Sequence, residues 1–253
     1  MNEHLQFFSY MPMPKQADKL RTAARKIFSF VYRGNKFYCP VCNQTYRKFF
    51  SAGVNQRPNA LCPGCNSLER HRLFWMVFQK LAETGILKTG GRMLHIAPEP
   101  SLSEKFMKQY DYISVDLDGS NAMFAMDITA LTFPDEHFDV IVCHHVLEHI
   151  PDDRKAISEL YRVLKSGGWA SIQVPIKGEI TQEDMFITDP HERRQLYGQE
   201  DHVRKYGHDF IYRLEEAGFS LQIFNKADVL DPFTLECISV KCENEVIFAG
   251  KQD

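Results

Sequence analysis

The strongest constraint on this chain is a pair of CxxC turns, Cys39-Pro-Val-Cys42 and Cys62-Pro-Gly-Cys65, separated by residues 43–61. Each turn brings two thiolates to one ion. Two such turns complete a tetrahedral four-sulfur site with Zn–S distances of about 2.3 Å. With every position filled by sulfur, no place is left for water, so the spacing predicts structural zinc held by Cys39, Cys42, Cys62 and Cys65. Residues 36–66 are expected to form a ribbon with little apolar material of its own. Metal binding worth on the order of 10–16 kcal/mol would supply its folding energy. Phe37, Tyr38, Tyr46, Phe49 and Phe50 are expected to pack around the ribbon or against the following helix. Cys143, Cys237 and Cys242 are scattered and read as buried thiols in a reducing compartment.

The rest of the 253 residues is long enough for one α/β domain. A hydrophobic fraction of 44% with 25% charged residues is that of a soluble globular protein. No stretch approaches the roughly 18–20 uncharged apolar residues of a membrane span. The opening residues lack the basic-then-apolar order of a secretory signal, so a cytoplasmic location is expected. A net charge of −3 argues against a strong nucleic-acid binder. The first third does lean basic, from Lys15 to Arg72, and is read as a solvated face.

The order of elements follows from periodicity. Residues 17–29 read as a helix with a basic face. Residues 67–83 read as a second helix, with Ser67 as N-cap and Gly85 just past its end. From residue 92 onward short apolar runs alternate with helices. Strands are expected at Met93–Ala97, Tyr112–Asp116, Ala122–Asp127, Phe138–His144, Trp169–Val174, 219–224 and Glu245–Lys251. Helices are expected at Leu102–Lys108, Asp153–Leu164 and 207–217. This alternation predicts a parallel sheet covered on both faces. The organisation is thus a helical segment (1–35), the ribbon (36–66), a linking helix (67–91) and an α/β domain (92–253). A polar stretch over 176–206 interrupts that domain and is long enough to be a lid. Residues 226–244 carry no assignable pattern.

In an open parallel sheet, ligands bind at the carboxyl ends of the strands. The turn His95-Ile96-Ala97-Pro98-Glu99-Pro100 falls there, as do Asp116, Asp127 and the pair His144-His145. A carboxylate at Asp116 is suited to the two hydroxyls of a ribose. Asp127 with Ile128 offers a polar contact and an apolar edge for an adenine.

The stretch FDVIVCHHVLEHIPDDRKAISELYRVLKSGGWASIQVP (138–175) closely resembles strands four to five of class I S-adenosylmethionine-dependent methyltransferases, in the subgroup with a VLEH segment. More narrowly, CPVC, CPGC, SLERHRL, LHIAPEP and GQEDHVRKYG resemble a bacterial group of zinc-ribbon methyltransferase-like proteins. The resemblance extends in fold over 92–251. It implies a Rossmann-like sheet of seven strands with the last antiparallel, and S-adenosylmethionine as cofactor. It implies contacts from His95, Ala97, Pro98, Glu99, Asp116, Leu117, Asp127, Ile128, His144 and His145. The first loop departs from the family. HIAPEPS stands where DxGxGxG is usual, with prolines that fix φ and remove amide donors in place of glycines. Glu99 is expected to meet the cofactor's amino group.

Methyl transfer needs donor and acceptor in line, and a hydroxyl or amine acceptor gains from a general base. The candidates are His145, Asp201 and His202, with Asp201 orienting His202 and Arg204 forking onto a carboxylate or phosphate. His202→Ala is expected to lower turnover far more than cofactor affinity. His149 is read as a cap or packing residue near Pro151. The leading expectation is methyl transfer to a small-molecule or glycan acceptor. The alternatives are an RNA base methyltransferase that reads RNA with its ribbon, and a non-catalytic binding module on a degenerate fold.

Overall fold

The computed structural model describes residues 25–53, 55–87, 89–241 and 244–252. Most of the expected basic helix over 17–29 lies outside the described residues. Residues 25–31 are helical (α1), and Cys242 is likewise outside. The cysteine module consists of two small hairpins. β1 (Arg33–Cys39) pairs antiparallel with β2 (Gln44–Tyr46), and β3 (Phe50–Ala52) with β4 (Arg57–Leu61). Phe37, Tyr46 and Phe49 are buried, with ring centroids 5.2 and 5.9 Å apart around Phe49. The module therefore has an aromatic core of its own, which the expectation of little apolar material understated.

Helix α2 (Glu69–Glu83) joins the hairpins to the sheet. Ser67 was expected to cap it, but the N-cap is Leu68, and the His71 ring accepts the Leu68 amide at 3.1 Å. The Ser67 hydroxyl lies instead 3.2 Å from the sulfurs of both Cys39 and Cys65. Gly85 follows the helix at φ 75°, a left-handed conformation that glycine adopts without a Cβ penalty. Arg72 of α2 is fully buried and forms no direct ion pair with a carboxylate among the described residues. Its guanidinium donates to the carbonyls of Ala60, Ser67, Ile238 and Ser239 at 2.6–2.9 Å and lies over the Phe49 ring. One side chain thus ties the cysteine module, the start of α2 and the segment near residue 239 together.

The large sheet holds β5 (Arg92–Ile96), β6 (Asp111–Asp116), β7 (Phe124–Ala125), β8 (Phe138–His144), β9 (Leu164–Gln173), β12 (Ser220–Asn225) and β13 (Glu245–Gly250). Their spatial order is β12-β13-β9-β8-β5-β6-β7. β5 to β9 run parallel, and β13 lies antiparallel to both its neighbours. The Rossmann-like sheet of seven strands with an antiparallel last strand is as the resemblance implied. β9 begins five residues before the expected strand. Leu164 already pairs with Phe138, and the register shift between Phe138 and Val140 absorbs the Gly167-Gly168 kink.

Helices α3 (Pro100–Phe106), α4 (Asp153–Val163) and α6 (Phe210–Glu216) cover the sheet. In α4 the Asp152 carboxylate caps the amide of Lys155, and Ala156, Ile157, Leu160 and Val163 make the buried face. Residues 226–244 contain two short helices, α7 (Lys226–Val229) and α8 (Pro232–Cys237), each too brief to show helical periodicity. Cys143 is buried and Cys237 half-buried, so only the first fits the expectation of buried thiols. Among the described residues no helix is long and apolar enough to cross a membrane.

Candidate active site

The chain passes from β5 to β6 and β7 on one side of the sheet and to β8 and β9 on the other. β5 and β8 are adjacent, so the strand order reverses between them, and a ligand crevice is expected at their carboxyl ends. Side chains alternate along a strand, which puts His95 on the face of Met93 and His144 on the face of Val142, both towards α2. Glu99, at the N-terminus of α3, turns its carboxylate into that layer. It lies 2.7 Å from His95 Nε2, 3.5 Å from His144 Nδ1 and 3.6 Å from His71 Nε2. Burial pushes its carboxyl up, but the charges and hydrogen bonds of His144 and His95 outweigh burial and hold it well below the usual range.

One cofactor assignment is thereby corrected. His95 is fully buried, and its second nitrogen meets the Tyr112 hydroxyl at 3.0 Å, so it supports Glu99 and offers nothing to a ligand. Glu99 Oε2 is committed to His95, whereas Oε1 is buried without a hydrogen-bond partner, 3.5 Å from His144 Nδ1 and 3.6 Å from His71 Nε2. His144 lies 2.9 Å from the Ser171 hydroxyl and edge-on to Phe74, and lines a small cavity between the ends of β8 and β9 and the start of β13. Burial lowers the His71 pKa to about 3, against about 6.5 in an unfolded chain. Its neutral burial contributes stability that is present above about pH 6.5 and lost as pH falls towards 3. The urea midpoint should fall across that window more steeply in the wild type than in His71→Gln. Equal slopes would remove His71 as the cause.

The turn after β5 keeps one property of a glycine loop. Ala97 stands at φ 45°, left-handed, with its amide donating to the Val115 carbonyl at 2.8 Å. Pro98 is buried behind it. At the end of β6, Asp116 accepts the Leu117 amide on one oxygen, and the other has no partner among the described residues. Leu117 is 72% exposed beside it. Asp127 caps the short turn Ile128–Ala130 through Thr129, which lowers its carboxyl pKa, while Ile128 is buried. An unpaired carboxylate oxygen, an exposed leucine and a second exposed carboxylate fit the ribose and adenine of a nucleoside.

On the other side of the crevice, His145 follows β8 at φ 54°, with its amide bonded to the Gln173 carbonyl. Such strain in a non-glycine residue persists where the surroundings fix it and is common at functional positions. His145 Nδ1 lies 3.3 Å from Glu148, which is buried. His145 lines a small cavity between the ends of β8 and β9 and the start of β13, and a neighbouring cavity of about 490 Å³. Arg57 of the cysteine module, Arg70 of α2, Glu148, Lys177 and His202 also wall that cavity, so the hairpins contribute to it directly.

The polar stretch 176–206 packs over this cavity. It holds a two-residue ladder between β10 (Gln182–Glu183) and β11 (Arg204–Lys205), and helix α5 (Pro190–Tyr197). Arg204 is corrected. Its guanidinium donates to Glu183 at 2.7 Å and to the carbonyls of Leu147, Ile150 and Pro151, leaving no fork for a substrate. It clasps the turn Leu147–His149. The expected Asp201–His202 pair is also corrected. The exposed Asp201 carboxylate meets His149 Nδ1 at 3.2 Å. His149, expected only to cap or pack near Pro151, stands edge-on to the His202 ring with centroids 4.8 Å apart. Sequence reasoning missed Glu148, His149 and Arg70 as site residues. The spacing His145-x-x-Glu148-His149 was the available signal.

The four cysteines come together as expected. All four sulfurs lie within 4.8 Å of one another, with Cys39–Cys65 at 3.6 Å and Cys42–Cys62 at 3.8 Å. Tetrahedral ligands about 2.3 Å from a zinc ion stand about 3.8 Å apart, so the donor set fits one ion.

Residues 84–172 match the family model described as a methyltransferase domain. The methyltransferase-domain match covers β5 to β8 and nearly all of β9. The ubiquinone/menaquinone biosynthesis C-methyltransferase UbiE of Brucella canis is 25% identical over 153 residues, 54% of this chain and 53% of that protein. The UbiE of Brucella anthropi is 24% identical over 153 residues, with 54% of each chain covered. The chain thus spans about half the length of the curated relatives it matches. A SAM-dependent methyltransferase structure from Archaeoglobus fulgidus is similar at 15% identity and a TM-score of 0.48, covering 74% of this chain and 96% of that one. Haemonchus contortus phosphoethanolamine N-methyltransferase 2, in complex with S-adenosyl-L-methionine, is similar at 18% identity and a TM-score of 0.46. That match covers 70% of this chain and 52% of the other.

Proposed function

We propose that the protein is an S-adenosylmethionine-dependent methyltransferase acting on a small acceptor that carries an anionic group. The observation that carries the reading is the placement of His145 just past β8, beside the strand-order reversal, where it lines the cavity that Arg70, Lys177 and the hairpins wall. The methyltransferase-domain match over 84–172 supports it. When bound, the sulfonium supplies an electrophilic methyl group. Asp116 would hold the ribose, with Leu117, Asp127 and Ile128 along the adenine. The acceptor would enter the cavity, where Arg70 and Lys177 favour a carboxylate or phosphate. Arg70 Nε is buried with no hydrogen-bond partner, a donor that such a group would satisfy.

His145, oriented by Glu148, takes the acceptor's proton as the acceptor attacks. The methyl group would pass to the acceptor with the C–S electron pair left on the donor's sulfur. The hairpins around Cys39, Cys42, Cys62 and Cys65 hold structural zinc in this reading and present Arg57 to the cavity.

A panel of small carboxylates, phosphates and neutral analogues, tested with labelled methyl donor, identifies the acceptor class. Transfer only to neutral molecules would contradict the anionic preference. With an acceptor in hand, His145→Ala should lower turnover by roughly 10²–10⁴. Its affinity for the demethylated product should stay within about twofold, given a change remote from the nucleoside end. Parallel losses in turnover and affinity would remove His145 as the base.

A further inference from the structure

We propose that Glu148, His149 and His202 form a second metal site, for a first-row divalent cation, in the wall of the cavity. One ligand-capable atom from each lies within 4.8 Å of the others. Ligands about 2.0–2.2 Å from a common ion stand roughly 3–4 Å apart, so little contraction is needed.

The polar accounting of the cluster points to a missing ion. Glu148 is 1% exposed and His202 5% exposed. Glu148 Oε2 and His202 Nε2 are both buried with no hydrogen-bond partner. Two adjacent buried groups of this kind are rarely left unsatisfied. A cation between them would satisfy both.

The remaining atoms are already engaged as the outer partners of a metal site usually are. The His202 ring bonds to the Tyr197 carbonyl. His149 Nδ1 meets Asp201 at 3.2 Å, and the other Glu148 oxygen faces His145 at 3.3 Å. Such contacts fix the tautomer and aim the free atom at the ion. The backbone is held as well. Glu148 and His149 share the turn that Arg204 clasps, and the Val203 amide donates to the Glu148 carbonyl at 2.9 Å, fastening His202 beside them.

Two imidazoles and one carboxylate suit zinc, manganese, iron(II) or cobalt(II) better than magnesium or calcium. Glu148 and His202 also line the cavity, so positions on the ion would remain open to water or an acceptor oxygen. This is the opposite of the closed four-sulfur site. An acceptor hydroxyl held there would lose its proton to His145 more readily. That role rests on the methyl-transfer reading, whereas cation binding itself does not.

The test is calorimetric titration of the full, zinc-containing chain with Co²⁺ and Mn²⁺, with zinc content measured in parallel. The expected result is one saturable equivalent per chain beyond the zinc of the four cysteines. That equivalent should be lost in Glu148→Gln and in His202→Gln, with the zinc retained. Asp201→Ala changes an exposed outer partner and should fold normally, weakening the second equivalent by about 10–100-fold. No saturable uptake by the wild type, or uptake unchanged in all three variants, overturns the proposal. Uptake without any binding of the methyl donor would leave the metal site standing and sink the methyl-transfer reading instead.

Discussion

With structural zinc held by the four cysteines, as proposed, Cys62→Ser is expected to abolish metal binding and to unfold the hairpins over 33–61. The four sulfurs form one closed set, and three of them cannot supply its fourth corner. Ion binding in modules of this kind contributes on the order of 10–16 kcal/mol to folding, far more than the Phe37–Tyr46–Phe49 cluster can replace. The effect should spread, because the hairpins are stitched to α2 through Arg57–Glu69 at 2.8 Å and through Arg72. Zinc content near zero with a markedly lowered melting temperature is the predicted outcome. Folded, stable Cys62→Ser protein would show that the module does not depend on its metal.

Arg72→Met should be nearly as damaging, for a different reason. Methionine fills much of the same volume but takes the guanidinium donors from the carbonyls of Ala60, Ser67, Ile238 and Ser239, of which Ser67 keeps the Cys62 amide. Each hydrogen bond from a charged group is worth about 1.5–3 kcal/mol, and the four are not additive. A loss of roughly 4 kcal/mol or more is expected, a large part of the stability of an ordinary domain. Denaturant unfolding measures it. A loss under about 1 kcal/mol would mean that the carbonyls find other partners. Arg72→Lys should recover only a fraction, since one ammonium cannot span four acceptors.

The contrast between these residues shows what a sequence discloses. The cysteines were legible because thiolate spacing is local and has few alternative uses. The strands Phe138–His144 and Asp111–Asp116 were legible because buried parallel strands are continuous apolar runs ending where ligands bind. Arg72 looked like any basic residue on a helix, and its partners Ile238 and Ser239 are some 166 positions away. Glu99 broke the expected glycine pattern, and His95 stands four residues before it, but nothing local revealed the other two histidines around it. His71 comes from α2 and His144 from β8, and the meeting depends on how the helix lies on the sheet. Within the candidate site, His145 and His202 were singled out by residue type and by position after β8 and in the polar stretch. His202 was paired with its sequence neighbour Asp201, which the fold turns to His149 instead, and no partner was named for His145, which the fold sets beside Glu148.

The central claim is that a nucleoside-bearing methyl donor sits at the carboxyl edge of the sheet, held by Asp116. Calorimetric titration with S-adenosylmethionine and its demethylated product addresses it without knowledge of the acceptor. The account predicts one saturable site per chain, weakened at least about tenfold by Asp116→Ala through lost hydrogen bonds to the ribose. No saturable heat with either compound, or equal affinity in Asp116→Ala, would contradict it.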